Sequence, residues 1–96
     1  MYEIRQTERF SKWLSKLKDR RAQSKIVIRL QRAALGNLGD YEAVGEGVSE
    51  LRIFEGKGYR VYFTIKNKEI IFMLCGGDKS SQDNDIKLAK KMRSEL

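Results

Sequence analysis

Apolar and polar positions along this chain fall into two periods, two and 3.6, and the changes of period mark out its elements. Between Glu50 and Phe63, Leu51 and Ile53 alternate with Arg52 and Phe54, and Val61 and Phe63 alternate with Arg60 and Tyr62. Successive strand side chains point to opposite faces. The stretch therefore predicts two strands closed by a tight Gly56-Lys57-Gly58 turn. One face offers aliphatics to a core. The other carries Arg52, Phe54, Arg60, Tyr62 and Thr64, with arginines where folding alone requires none. Lys79, just past the next strand, is expected to overhang the same face.

The rest of the chain is read the same way. Tyr2 and Ile4 against Glu3 and Arg5 predict a short first strand. Thr7 is a candidate cap for a helix whose apolar stripe is Phe10, Trp13, Leu14 and Leu17, with Arg9, Lys12, Lys16 and Lys18 off the stripe. Asp19 is a candidate cap for a second helix. Ala22, Ile26, Leu30 and Ala33 face inward there, Arg21, Lys25, Arg29 and Arg32 face outward, and Gly36 and Gly39 end it. The short connection predicts an antiparallel helical hairpin. Residues 37–47, rich in glycine and acids, read as a loop.

After the strand pair, Asn67-Lys68 are turn residues. The unbroken apolar run Ile70 to Cys75 predicts a strand covered on both faces, ended by Gly76-Gly77. Ser80-Ser81-Gln82-Asp83 is expected to cap a final helix with Ile86, Ala89 and Met92 inward. The order β-α-α-β-β-β-α describes an α+β domain, a small, largely antiparallel sheet with a helical hairpin on one face. The pattern does not fix where the first strand joins the sheet.

Composition narrows the chemistry. Ninety-six residues make a single domain, 1–96. The chain has no histidine and one cysteine, Cys75, set in an apolar run and read as a small buried hydrophobe. These counts exclude an internal disulfide, the usual zinc sites, and Ser-His-Asp or Cys-His catalysis. Gly56-Lys57-Gly58 is too short to be a phosphate loop leading into a helix. Asp83 and Asp85 are better read as carboxylates at a helix start than as a magnesium site. No cofactor or metal is therefore expected. The charged opening Met1-Tyr-Glu-Ile-Arg5 is unlike a signal peptide, and no run approaches the ~20 apolar residues of a membrane span. A soluble cytoplasmic protein without membrane contact is expected.

The net charge is +7. Residues 1–40 carry ten Lys/Arg against four Asp/Glu, whereas residues 41–78 carry five against six. The excess thus sits on the helices and points to a polyanionic partner, nucleic acid or the ribosome. On the strand face, Arg52, Arg60 and Lys79 are suited to holding a phosphodiester and stabilising charge on its oxygens, with Tyr62 or Phe54 stacking on a base. The same alternation also accommodates cross-strand pairs of Arg52 or Arg60 with Glu50 or Glu69.

The run Glu50-Leu-Arg-Ile-x-x-Gly-x-Gly-Tyr-Arg-Val-Tyr-Phe63, followed by Leu74-Cys-Gly-Gly-Asp-Lys-Ser-Ser-Gln-Asp-Asn-Asp-Ile86, resembles toxins of the RelE/ParE superfamily. Within it, the chain is most similar to the HigB-like branch of phage-derived Gp49-like, addiction-module killer proteins. The resemblance spans nearly the whole chain, including Phe10-x-x-Trp-Leu14. It implies a RelE-like fold and the toxin of a type II toxin–antitoxin system. The toxin would be a ribosome-dependent, metal-independent mRNA endonuclease, an mRNA interferase that inhibits translation through attack of a ribose 2′-OH on the adjacent phosphate.

Residue by residue, Arg60 matches the family's phosphate-binding arginine. Arg52 lies where relatives carry basic residues. Lys79 lies where relatives place a further catalytic arginine or polar group. Gln82 lies in the branch motif and joins Tyr62 and Phe54 as a substrate-binding candidate. Some relatives use histidines or a C-terminal tyrosine for proton transfer, and this chain has neither. The implied partners are a cognate antitoxin, expected to be of helix-turn-helix type and to form a hetero-oligomer, together with ribosome and mRNA. The ParE branch, which binds DNA gyrase without catalysis, and a plain basic RNA- or ribosome-binding module are the alternatives.

Overall fold

The computed structural model describes all residues, Met1–Leu96. Its first strand, β1 (Glu3–Gln6), turns directly into α1 (Glu8–Lys16), and Thr7 makes the switch. The Thr7 hydroxyl accepts from the Phe10 amide at 3.1 Å and donates to the Leu74 carbonyl at 2.6 Å, tying the helix start to the sheet. Asp19 caps α2 (Arg20–Ala34) by accepting from the Ala22 amide at 3.1 Å. Each cap satisfies an amide that the helix leaves unpaired, worth about 1 kcal/mol. Both caps are those the sequence predicts.

Four strands follow α2: β2 (Tyr41–Gly45), β3 (Val48–Ile53), β4 (Tyr59–Lys66) and β5 (Ile70–Asp78). They form an antiparallel meander, and β1 adds in parallel to β5, giving the order β1-β5-β4-β3-β2. A short 3-10 turn (Lys79–Ser81) leads into α3 (Gln82–Ser94). Asn67 and Lys68, both at positive φ, close the β4–β5 hairpin. The α+β class, the largely antiparallel sheet and the helical pair on one face agree with expectation.

The sheet lies between two layers. Against one face, α1 and α2 contribute Phe10, Ile26 and Leu30 to a core with Leu51, Val61, Phe63 and Met73. Against the other face, α3 places Ala89 on Val48, Tyr62, Leu74 and Cys75. Strand β5 serves both faces through a bulge. Tyr62 pairs with Cys75 and Phe63 with Met73, leaving Leu74 as the extra residue. Leu74 and Cys75 both join the α3 side, so the unbroken apolar run of β5 is covered on both faces as predicted.

Three expectations need correction. Residues 41–45, read as loop, form the edge strand β2. Its Glu, Ala and Gly are poor strand formers, and its exposed position leaves no burial alternation to detect. Gly76-Gly77 does not end β5. A Cβ on Gly76 would stand 2.5 Å from the Trp13 ring, and one on Gly77 2.0 Å from the Asp85 carboxylate. The pair therefore lets α1 and α3 approach the strand from opposite sides. Finally, the second face of β3 and β4 is not open throughout. Tyr62 and Thr64 are buried under α3, and the Thr64 hydroxyl donates to the Gly47 carbonyl at 2.7 Å.

Candidate functional site

Where α3 leaves off, the β3–β4 end of the sheet stays accessible. A cleft of about 330 Å³ opens there, and its lining includes Arg52, Phe54, Lys57, Tyr59, Arg60 and Lys79. The loop between the strands makes the cleft's lip. Gly56 and Gly58 both take positive φ, 54° and 78°, which a side-chain-bearing residue adopts only with strain. The Lys79 amide donates to the Gly58 carbonyl at 3.1 Å, so the end of β5 is stapled to the loop. The Lys79 stem lies over Gly58, where a Cβ would meet it at 3.6 Å.

Arg52 and Arg60 are cross-strand partners on β3 and β4, but they are held differently. Arg52 donates from Nη1 to Glu42 at 3.0 Å and from Nη2 to Asp40 at 3.1 Å, which places its fork against the sheet edge. Arg60 is mostly buried. Its Nε lies 3.1 Å from Oε2 of Glu50, a carboxylate with almost no exposure. That contact has ion-pair distance without hydrogen-bond geometry, since neither atom has a hydrogen-bond partner. The attraction is therefore Coulombic, and Arg60 is among the residues lining the cleft. The cross-strand pairing read as an alternative from the sequence does occur, between Arg60 and Glu50. Glu69 lies in neither pair.

Of the six candidate residues, the fold brings Arg52, Arg60, Lys79 and Phe54 to one cleft. Phe54 stands 74% exposed at its mouth. Tyr62 is corrected. Its ring is fully buried between β4 and α3, its hydroxyl has no partner, and burial pushes its pKa up. It is not a surface for stacking a base. Gln82 begins α3 and is not part of the cleft lining.

Three residues that sequence reading passed over matter here. Lys57 lies on the loop and faces the cleft. Tyr59 lines the cleft next to Arg60. Its phenol is raised above the ordinary value, first by burial and then by Asp19 and Asp78, so it is protonated at neutral pH. Tyr59 was legible only as a core position, because its alternation places it with Val61. Arg29, read as an outward helical cation, instead donates to the carbonyls of Arg52 (2.6 Å), Leu38 (2.9 Å) and Asp40 (2.9 Å). It clamps α2 to the edge hairpin, and burial lowers its pKa. No sequence signal separates a clamp of this kind from a solvated arginine.

No three His, Cys, Asp or Glu side chains gather as a metal-holding group, and no helix is long and apolar enough to cross a membrane. The carboxylate of Asp78 is bonded by the hydroxyl and amide of Ser80, which hold its pKa below the ordinary range.

The family model of phage-derived Gp49-like proteins (DUF891) matches residues 12–94. The chain belongs to the phage-derived Gp49-like family. Among curated proteins, an uncharacterized protein of Haemophilus influenzae is 52% identical over 94 residues, which cover 98% of this chain and 95% of the relative. Among solved structures, the chain superposes on a free-state double mutant of the E. coli toxin RelE with TM-score 0.74, covering 96% of each chain at 16% sequence identity. At that identity the likeness is one of fold, and the Gp49-like chain has the RelE-type α+β fold. Family and fold are those implied by its Gly58-Tyr-Arg-Val61 and Gly76-Gly-Asp-Lys79 runs. The matched range holds the whole cleft, from Arg52 to Lys79.

Proposed function

We propose that this Gp49-like protein is the toxin of a type II toxin–antitoxin pair, and that it blocks translation by cutting ribosome-bound messenger RNA without a metal. The observation that carries this reading is the setting of Arg60. Buried Glu50 holds its Nε side, and Arg60 lines, together with Lys79 and Lys57, a cleft with an exposed aromatic ring at its mouth. Charge-assisted donors of this kind suit a phosphodiester, and Phe54 suits a stacked base.

In the reaction, the ribose 2′-oxygen attacks the adjacent phosphorus and the bond to the 5′-oxygen breaks. The products are a 2′,3′-cyclic phosphate and a 5′-hydroxyl end. Arg60 and Lys79 stabilise the negative charge that grows on the non-bridging oxygens. The 2′-hydroxyl gives its proton to water, and the departing 5′-oxygen takes one from water. Much of the remaining acceleration comes from the ribosome holding the RNA in line for attack. The partner that silences the toxin is a cognate antitoxin, expected to be of helix-turn-helix type, in a cytoplasmic complex.

Loss of one pre-organised donor at a developing oxyanion costs about 10²–10³ in rate. Arg60→Lys keeps the charge beside Glu50 but loses the fork, and is expected to relieve growth inhibition at equal expression. Arg60→Gln combined with Glu50→Gln removes the pair as a unit and is expected to be inactive while folded. Full toxicity in both variants would show that the reaction does not depend on Arg60.

A further inference from the structure

A second and larger cleft, about 680 Å³, lies on the other side of the β3–β4 loop. Gly56, Lys57 and Tyr59 line both clefts, so the loop is the ridge between them. Lys16 and Lys18, at and just beyond the end of α1, line the second cleft together with the side chain of Trp13. Trp13 is partly exposed, and its ring packs 5.9 Å from Phe10 and 6.4 Å from Tyr59.

Lys16, Lys18 and Lys57 take no part in any ion pair. Two acids share the cleft, so three ammonium groups face two carboxylates there, and both carboxylates also serve as caps. Asp19 accepts from the Ala22 amide, and Asp78 from the amide and hydroxyl of Ser80. Along the exposed side of α1, Arg9 extends the basic lining past Trp13, while Lys12 is paired with Glu8 at 2.9 Å.

We propose that this cleft is a second RNA subsite, and that a single-stranded RNA crosses the ridge at Lys57 from the Arg60 cleft to the Trp13 cleft. The proposal rests on the phosphate-binding role assigned above to Arg60. Unpaired ammonium groups flanking an indole are what a single strand requires, cations for successive phosphates and an aromatic face or edge for a base. Continuity with the Arg60 cleft favours RNA over an acidic protein segment, which needs no aromatic between its cations.

Trp13 is the chain's single tryptophan, so its fluorescence reports on this cleft directly. The full chain is titrated with unstructured RNA of about twelve nucleotides, a length within the range one small domain covers, over a series of salt concentrations. The RNA is expected to change Trp13 emission. Lys16→Gln with Lys18→Gln is expected to weaken binding at least tenfold and to flatten the log–log salt slope by about 1.4, near 0.7 for each phosphate left without its cation. The paired Arg60→Gln and Glu50→Gln variant should weaken binding too, yet preserve the Trp13 change at saturation.

Unchanged affinity and slope in the lysine variant would overturn the subsite and leave the Arg60 reading standing. Absence of any Trp13 response in the wild type at low salt would overturn it as well, while cleavage of messages in cells judges the Arg60 reading separately. Poly-glutamate displacing the RNA at equal charge concentration would identify a general anion-binding surface and also count against the proposal.

Discussion

Arg52 and Arg60 face each other across two strands, and their burial decides what each substitution does. Arg52 holds Asp40 and Glu42 at the exposed edge of the sheet. Such pairs are worth at most about 1 kcal/mol each. Arg52→Ala is therefore expected to lower stability by no more than about 2 kcal/mol, and to reduce toxicity less than Arg60→Lys. Arg60→Ala strands Glu50 as a buried, unpaired charge, and losing one partner of a buried pair costs about 3–5 kcal/mol. Urea unfolding of the single variants and of the Arg60→Gln/Glu50→Gln pair separates the two effects, because the pair should recover most of the loss. Cys75 provides a control away from the cleft. Burial holds its pKa up to about 12, so a thiol reagent at mildly alkaline pH should label it only as fast as the chain unfolds. At this scale the sequence placed Arg60, Lys79 and Phe54 well, because strand alternation and turn position are local facts. It misplaced Tyr62 because alternation names a face without saying what covers it.

Among elements, the end of β5 packs tightly against the helices on either side of it. Gly76→Ala and Gly77→Ala each drive a methyl into Trp13 or Asp85. Overpacking of this kind costs about 1–3 kcal/mol, and Gly76→Ala should also shift Trp13 emission, whereas Gly77→Ala should not. The 3-10 turn that carries Lys79 depends on Asp78, whose carboxylate is stabilised by the Ser80 hydroxyl and then the Ser80 amide. Because the folded-state pKa is depressed, this contribution is fully present above the ordinary aspartate range. It is lost as pH falls through the folded-state value. Asp78→Ala is thus expected to cost about 1 kcal/mol near neutral pH, with the difference from wild type closing in acid. A difference that stayed constant with pH would contradict the cap. Helices α1 and α2 were legible because stripe and cap coincide, as at Thr7 and Asp19. Strand β2 was not, since its exposed edge position leaves no burial alternation and its place is held by side-chain contacts that no local pattern signals. The Arg29 clamp on the Asp40 carbonyl and the Arg52 fork on Asp40 and Glu42 are such contacts.

For the whole molecule, the basic excess of residues 1–40 is carried by α1 and α2. Much of it is bound up internally, Arg29 in the edge clamp, and Arg21 and Lys25 with Glu55. What remains unpaired near the β3–β4 loop is Lys16, Lys18, Lys57 and Lys79, which line the two clefts on either side of it. Charge counting along the chain shows a basic excess but not this address. The central claim, that Arg60 and the cations beside it serve cleavage of translated messages, is tested most directly by mapping RNA 5′ ends shortly after induction of the wild type and of Arg60→Lys. The expected result is new 5′ ends within translated reading frames, in register with codons, missing from untranslated RNA and from cells making the variant. Intact messages alongside a loss of DNA supercoiling would contradict it and point to a gyrase-binding toxin.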